Sequence, residues 1–221
     1  MWNFKRDIYR TENANGVLID LCYDADNYAE ACNCGDIVFD PFDTMVVRFG
    51  YTKPANGSDL DIMVYYDQTG TAQDLDAVGY NQNPNQFKTP TDATPNDLAY
   101  LWWATDDVST PAGPCIEAVV IGVKNFTNNL TPTGTTLNIP LRVGWFGAMG
   151  DGDINIELVT YSGGVMSLSG TNIINTGGVV VDVQSTTANV TSFPGQVSLA
   201  HSNLVGTVQY NTITKTAVLI V

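Results

Sequence analysis

The chain has 221 residues, and its 23 acidic side chains against 9 basic ones give a formal charge of −14. So few bases leave little to neutralise phosphates or an anionic bilayer, which argues against nucleic-acid and membrane partners. Hydrophobic residues make up 44% of the chain, enough to build a core, unlike an acidic disordered segment.

The first ten residues, Met1-Trp-Asn-Phe-Lys-Arg-Asp-Ile-Tyr-Arg10, carry charges and lack the apolar stretch of a signal peptide. No run approaches the roughly 20 apolar residues that span a bilayer, so a soluble chain is expected. Gly16–Tyr23 and Asp36–Phe42 read as short strands around an Asp- and Cys-rich loop, 24–35. Thr44–Tyr51 and Asp59–Tyr66 read as strands joined by the turn Lys53-Pro-Ala-Asn-Gly-Ser58. The polar stretch 69–97 is long for a simple connection. Leu98–Ala104, Cys115–Asn125, Leu137–Trp145, Ile154–Tyr161, Val179–Gln184, Val197–Ala200, Val205–Tyr210 and Thr216–Val221 complete about a dozen strands at the spacing of a sandwich or barrel. The expected fold is all-β, an antiparallel β-sandwich, jelly-roll-like, with additional C-terminal strands. Its Greek-key-like core is expected over roughly 36–164.

Acid type and charge position sharpen this reading. Asp outnumbers Glu by 19 to 4, and Asp belongs to turns, caps and cation sites rather than helices. Residues 1–157 hold 22 of the acids and 8 of the bases, whereas 158–221 hold only Asp182 and Lys215. The expected organisation is therefore an acidic sandwich over 1–164, with the Cys/Asp-rich loop near its start. An uncharged strand segment over 165–221 packs on the same domain or on a neighbouring subunit. A surface of small domains ordinarily carries about a quarter to a third charged residues, so a segment with two is expected to be covered.

One internal repeat stands out. At an offset of 94 residues, Arg48-Phe-Gly-Tyr51 aligns with Arg142-Val-Gly-Trp145, and Asp59-Leu-Asp61-Ile-Met-Val64 aligns with Asp153-Ile-Asn155-Ile-Glu-Leu158; Gly70 falls on Gly164. This implies two equivalent strand–turn–strand units. Side chains two apart on a strand share a side, so Asp59 and Asp61 repel unless something cationic lies between them. Calcium, which takes about six to eight oxygen ligands, would resolve that repulsion. The candidate ligands are Asp59 and Asp61 with Asp106 and Asp107, and in the second unit Asp151, Asp153 and Asn155. The alternative is that these residues solvate the sheet rim.

In order along the chain, Ser58-Asp-Leu-Asp-Ile-Met-Val64, Thr105-Asp-Asp107, Gly113-Pro-Cys-Ile116, Leu141-Arg-Val-Gly-Trp-Phe-Gly147 and Asp153–Leu158 resemble secreted β-sandwich domains related to YfaP. The resemblance covers about 58–164, with Met63 and Cys115 where that pattern has His and Glu. Phe49-Gly-Tyr51, Asp59-Leu-Asp61 and Val78-Gly-Tyr-Asn81 resemble TerD-like calcium-binding sandwiches over about 49–81. Both resemblances imply a cation-linked sandwich and neither implies an enzyme mechanism.

Other constellations are weaker. Cys22, Cys32 and Cys34 lack the paired spacing of a zinc site; a disulfide from Cys22 to Cys32 or Cys34 is the better expectation in an oxidising compartment, and reduced thiols elsewhere. His201, the only histidine, has no acid near it in sequence, which counts against Ser-His-Asp chemistry. Trp102 and Trp103 are adjacent on a strand, so one is expected in the core and one outward, in an interface or as a sugar platform. Asn56, Asn125, Asn129 and Asn189 each begin an N-glycosylation triplet.

The function expected is non-enzymatic: a self-assembling structural protein, such as an outer capsid, decoration or tail component of a virion, or a surface-filament subunit. Its partners would be copies of itself or other assembly subunits, and its location a virion or an extracellular assembly. The alternative is a monomeric calcium-dependent binding module for a glycan or protein, with the loops 69–97 and 104–114 as its contact surface.

Overall fold

In a computed structural model, the residues described are 41–55, 58–65, 77–79, 101–104, 106, 112–123, 135–147, 152–191 and 197–221, with the strand backbones at 8–12 and 18–22. Two units divide the chain, Met1–Phe39 and Asp40–Val221. In the first, β1 (Ile8–Glu12) pairs antiparallel with β2 (Leu18–Cys22). Of the expected strand Asp36–Phe42, residues 36–40 lie outside the described residues, as does the loop 24–35, and Pro41 and Phe42 are not in a strand.

The second unit is an antiparallel β-sandwich. Its strands are β3 (Thr44–Lys53), β4 (Asp59–Tyr65), β5 (Ala77–Gly79), β6 (Leu101–Trp103), β7 (Gly113–Gly122), β8 (Thr136–Phe146) and β9 (Gly152–Ser162), followed by β10 (Val165–Ser169), β11 (Asn172–Thr176), β12 (Val179–Val190), β13 (Asn203–Asn211) and β14 (Thr216–Ile220). One five-stranded sheet runs β12-β9-β3-β7-β6 and the other β14-β13-β8-β4-β5. Strands on both sides of residue 164 are interleaved: β12 pairs with β9, and β13 with β8.

Alternation builds the core. Met45, Val47, Phe49 and Tyr51 of β3 face Leu137, Ile139, Leu141, Val143 and Trp145 of β8 in a single buried cluster. β3 and β8 are the central strands of their sheets, and they are the first strands of the two repeat units. The second strand of each unit crosses to the other sheet. β4 pairs with β8, and β9 pairs with β3. The registers match under the same offset of 94: Gly50 lies opposite Asn155, and Gly144 opposite Asp61. The repeat is therefore a pseudo-twofold exchange of strands. The aromatic residues ending the two central strands, Tyr51 and Trp145, meet edge-on with ring centroids 5.6 Å apart, a geometry that contributes about 0.5–1.5 kcal/mol beyond area burial.

The two repeat arginines point to the outer faces and fasten what covers them. Arg48 forms an ion pair with Glu157, 2.7 Å from its carboxylate, and donates to Tyr161 Oη at 3.1 Å, Asn172 Oδ1 at 3.1 Å and Ile173 O at 3.0 Å. The last two bonds hold β10 and β11, a hairpin lying against the outer face of the first sheet. Ile173 is fully buried there against Val46, Trp102, Ala118, Val120, Val159 and Tyr161. Burial alone would lower the guanidinium pKa, but the bonds to Tyr161 and Glu157 outweigh it and hold the pKa above its ordinary value. On the other sheet Arg142 donates to Tyr65 Oη at 3.2 Å and to Ser202 O and Oγ at 3.4 Å. Val197 and Leu199 cover Met63, Tyr65 and Ala77 on that face.

The β10–β11 hairpin is the far end of the β9–β12 ribbon, folded back at two glycine pairs. Gly164 has φ +84°, and a Cβ there would lie 2.5 Å from the Gly178 nitrogen, so only glycine fits without strain. Residues 197–200, expected as a strand, form a bend closed by reciprocal backbone bonds between Ser198 and His201.

Replacing Arg48 with Ala is expected to cost about 2–3 kcal/mol of stability, because it strips the hairpin of its anchor and leaves Glu157 without its cation. Hydrogen exchange should then accelerate at Ile173 and Ile174 more than at the β3 and β8 core amides. Uniform exchange with unchanged stability would contradict the anchoring role.

Candidate functional site

The polar side chains buried most unusually gather around β4. Leu60, Ile62 and Val64 face the core, so Asp59 and Asp61 share the opposite side with Met63 and Tyr65. Asp59 is 4% exposed and Asp61 2%. Lys53, at the end of β3, is buried as well, and its Nζ lies 3.8 Å from Asp59 Oδ2. Asp106, just beyond β6, acts on Asp61 through its charge.

Asp61 carries the consequence. Among the described residues its buried Oδ2 has no hydrogen-bond partner. Burial, followed by the charges of Asp106 and Asp59, pushes its carboxyl pKa up to about 8. At neutral pH a carboxyl in this setting holds a proton unless a cation substitutes for it. Among the described residues, no group of three His, Cys, Asp or Glu side chains stands at metal-ligand spacing. Asp59, Asp61 and Asp106 form an electrostatically coupled acid cluster. Asp107, the fourth candidate ligand, lies outside the described residues.

The second repeat places its pair differently. Asp153 and Asn155 stand exposed on β9, in the other sheet, and Asp153 accepts a 2.8 Å hydrogen bond from Asn189 Nδ2. They border a shallow cleft of about 450 Å³ together with Tyr51, Cys115 and Thr187. Asp151 lies outside the described residues. Asn155 is neutral, so this pair lacks the like-charge repulsion of Asp59 and Asp61, and solvent screens the single charge of Asp153.

Two buried charged residues escaped the sequence reading. Glu117 is fully buried on the core side of β7, between Cys115 and Val119, and accepts a 3.2 Å bond from the Trp103 indole N–H. Strict alternation of Cys115, Glu117, Val119 and Ile121 was the available signal. Lys53 follows Met45, Val47, Phe49 and Tyr51 on the core side of β3 and had the same signal.

Trp102 and Trp103 do face opposite sides of β6, but neither is open. Trp103 lies in the core, and Trp102, at 7% exposure, is sealed in the cluster around Ile173. No sugar can stack on a ring so covered. The Cys115 thiol is buried and donates to Gly113 O at 3.5 Å; Cys32 and Cys34, and the side chain of Cys22, lie outside the described residues. His201 is exposed in the 198–202 bend. Asn189 of the glycosylation triplets is exposed on β12, whereas Asn56, Asn125 and Asn129 lie outside the described residues. Among the described residues no helix is long and apolar enough to cross a membrane.

Comparison with known proteins returned no matching family model, no similar curated protein and no similar solved structure. The site has to be read from its own geometry.

That geometry predicts a pH dependence. The folded chain retains a proton on Asp61 that the unfolded chain releases near pH 4, so stability is greatest below about pH 4 for this group and declines as pH rises towards about 8. The slope is at most about 1.4 kcal/mol per pH unit. Asp61→Asn, which installs the residue that the second repeat carries at Asn155, should flatten this slope and raise the melting temperature at pH 7.5. Identical pH profiles for both proteins would overturn the assignment.

Proposed function

We propose that this chain is a non-enzymatic structural subunit that self-assembles, of the kind that builds an outer virion layer, a tail or a surface filament. One observation carries the reading. Of the thirteen large hydrophobic side chains exposed among the described residues, twelve lie between Val165 and Val221, and only Phe146 lies elsewhere. That same stretch is the one almost without charge, with Asp182 and Lys215 its only acidic or basic side chains besides His201. Exposed aliphatic strands without charged neighbours are a surface suited to being covered.

The acidic remainder supports a position away from nucleic acid, since it would repel phosphates rather than neutralise them. Light scattering coupled to size exclusion tests the reading. Association that grows with concentration is expected, and a monodisperse monomer up to high concentration would overturn it.

A second reading, a calcium-dependent binding module, draws on Asp61, whose buried Oδ2 has no hydrogen-bond partner among the described residues and which feels the charges of Asp59 and Asp106. A cation bound to the native state alone must raise the melting temperature. The reading predicts an upward shift with calcium that chelator reverses and Asp61→Asn abolishes; equal melting with and without calcium would remove it.

A further inference from the structure

We propose that the open edge of β12 is the self-association surface and that its occupant is the same strand of a second copy, paired antiparallel about a twofold axis. This rests on the assembling-subunit reading and specifies its contact. The two β12-edged sheets would then run on as one.

The edges of the sandwich differ in a way that selects this strand. On one lateral side the sheets end in β5 and β6, three residues each and all buried. On the other they end in β14 and β12. The β14 edge is already engaged: Gln184 Nε2 donates to Ala217 O at 2.9 Å, and Leu219 N–H donates to Gln184 Oε1 at 2.8 Å. A single side-chain amide thus occupies the carbonyl and amide that an incoming strand would need. β12 has twelve residues, and among the described strands its backbone ladder runs only to β9. A strand this long with one open edge is a template for pairing.

Charge selects the partner. Each copy carries a formal charge of −14, so two copies repel except where charge is missing. β12 has one charged residue, Asp182. A twofold axis at Ser185, in the middle of the strand, sets each Asp182 opposite Ala188 of the second copy and each Val183 opposite Thr187, so no like charges face each other. A head-to-tail contact within the two five-stranded sheets would need β5, β6 or β14 as its counterpart, and β5 and β6 are short and buried while Gln184 engages β14; like-with-like pairing is the closed solution. Beside β12, a groove of about 400 Å³ bordered by Ala188, Leu204, Ile220 and Val221 adds apolar surface for the second copy to cover.

Val183 and Thr187 are exposed and lie on one side of β12, so charging them leaves the core intact. The double variants Val183→Lys/Thr187→Lys and Val183→Asp/Thr187→Asp are each expected to weaken self-association at least tenfold in light scattering, and an equimolar mixture to restore it. If the wild type associates and both variants match it, β12 is not the contact although the assembly reading stands. If the wild type is monomeric, both fall. If each variant is folded and monomeric but the mixture stays monomeric, like-with-like pairing is overturned. Should either variant fail to fold, hydrogen exchange on the wild type decides: amides over 183–189 must gain protection as protein concentration rises, and exchange independent of concentration there refutes the proposal.

Discussion

The constraint on which the second unit depends is the exchange of strands between its two repeat halves. Each half places its first strand at the centre of one sheet and sends its second strand to the other sheet. Neither sheet has a complete centre without both halves. The registers of β3 with β9 and of β8 with β4 coincide at the repeat offset, so the hydrophobic alternation of all four strands is satisfied together or not at all. The edge-on contact of Tyr51 with Trp145 joins the halves across the core. Arg48 and Arg142, equivalent in sequence, fasten different covering segments on opposite outer faces. One repeat has thus been elaborated into two unlike surfaces.

The acid pairs show how far equivalent residues diverge. Asp61 is buried beside Asp59 and Asp106 and is driven towards its protonated form, whereas Asn155 and Asp153 remain in solvent. The repeat has Asn where burial is absent and Asp where burial makes ionisation costly. An ionisable group held at such cost stores sensitivity to pH and cations that an amide would not.

Much of the sandwich was legible from alternation and turn chemistry. β3, β4, β7, β8 and β9 fall close to their expected bounds, because their apolar residues recur every second position and Gly, Asn and Pro punctuate them. β5 and the β10–β11 hairpin were missed for a physical reason: three residues carry too little pattern, and Ser-Leu-Ser and Asn-Ile-Ile-Asn mix polar and apolar residues without a clear period. β12 extends to Val190 rather than Gln184, since its second half, Ser-Thr-Thr-Ala-Asn, is polar yet β-compatible and is held by β9. The aspartate pair was visible as a motif, but part of the upward pKa shift of Asp61 comes from the charge of Asp106, which is distant in sequence. The scarcity of charge beyond residue 157, with only Asp182 and Lys215, was the most informative signal, and the exposed aliphatic side chains among the described residues fall in that stretch.

Ionic strength separates the proposed mode of assembly from its rivals, because added salt screens the repulsion between copies of charge −14 while strengthening apolar burial. Sedimentation equilibrium across a sodium chloride series tests this directly. The account predicts an association constant that rises steadily with salt and does not respond to chelator. Dissociation at high salt, or association that requires a divalent cation, would contradict an interface built from the uncharged strands.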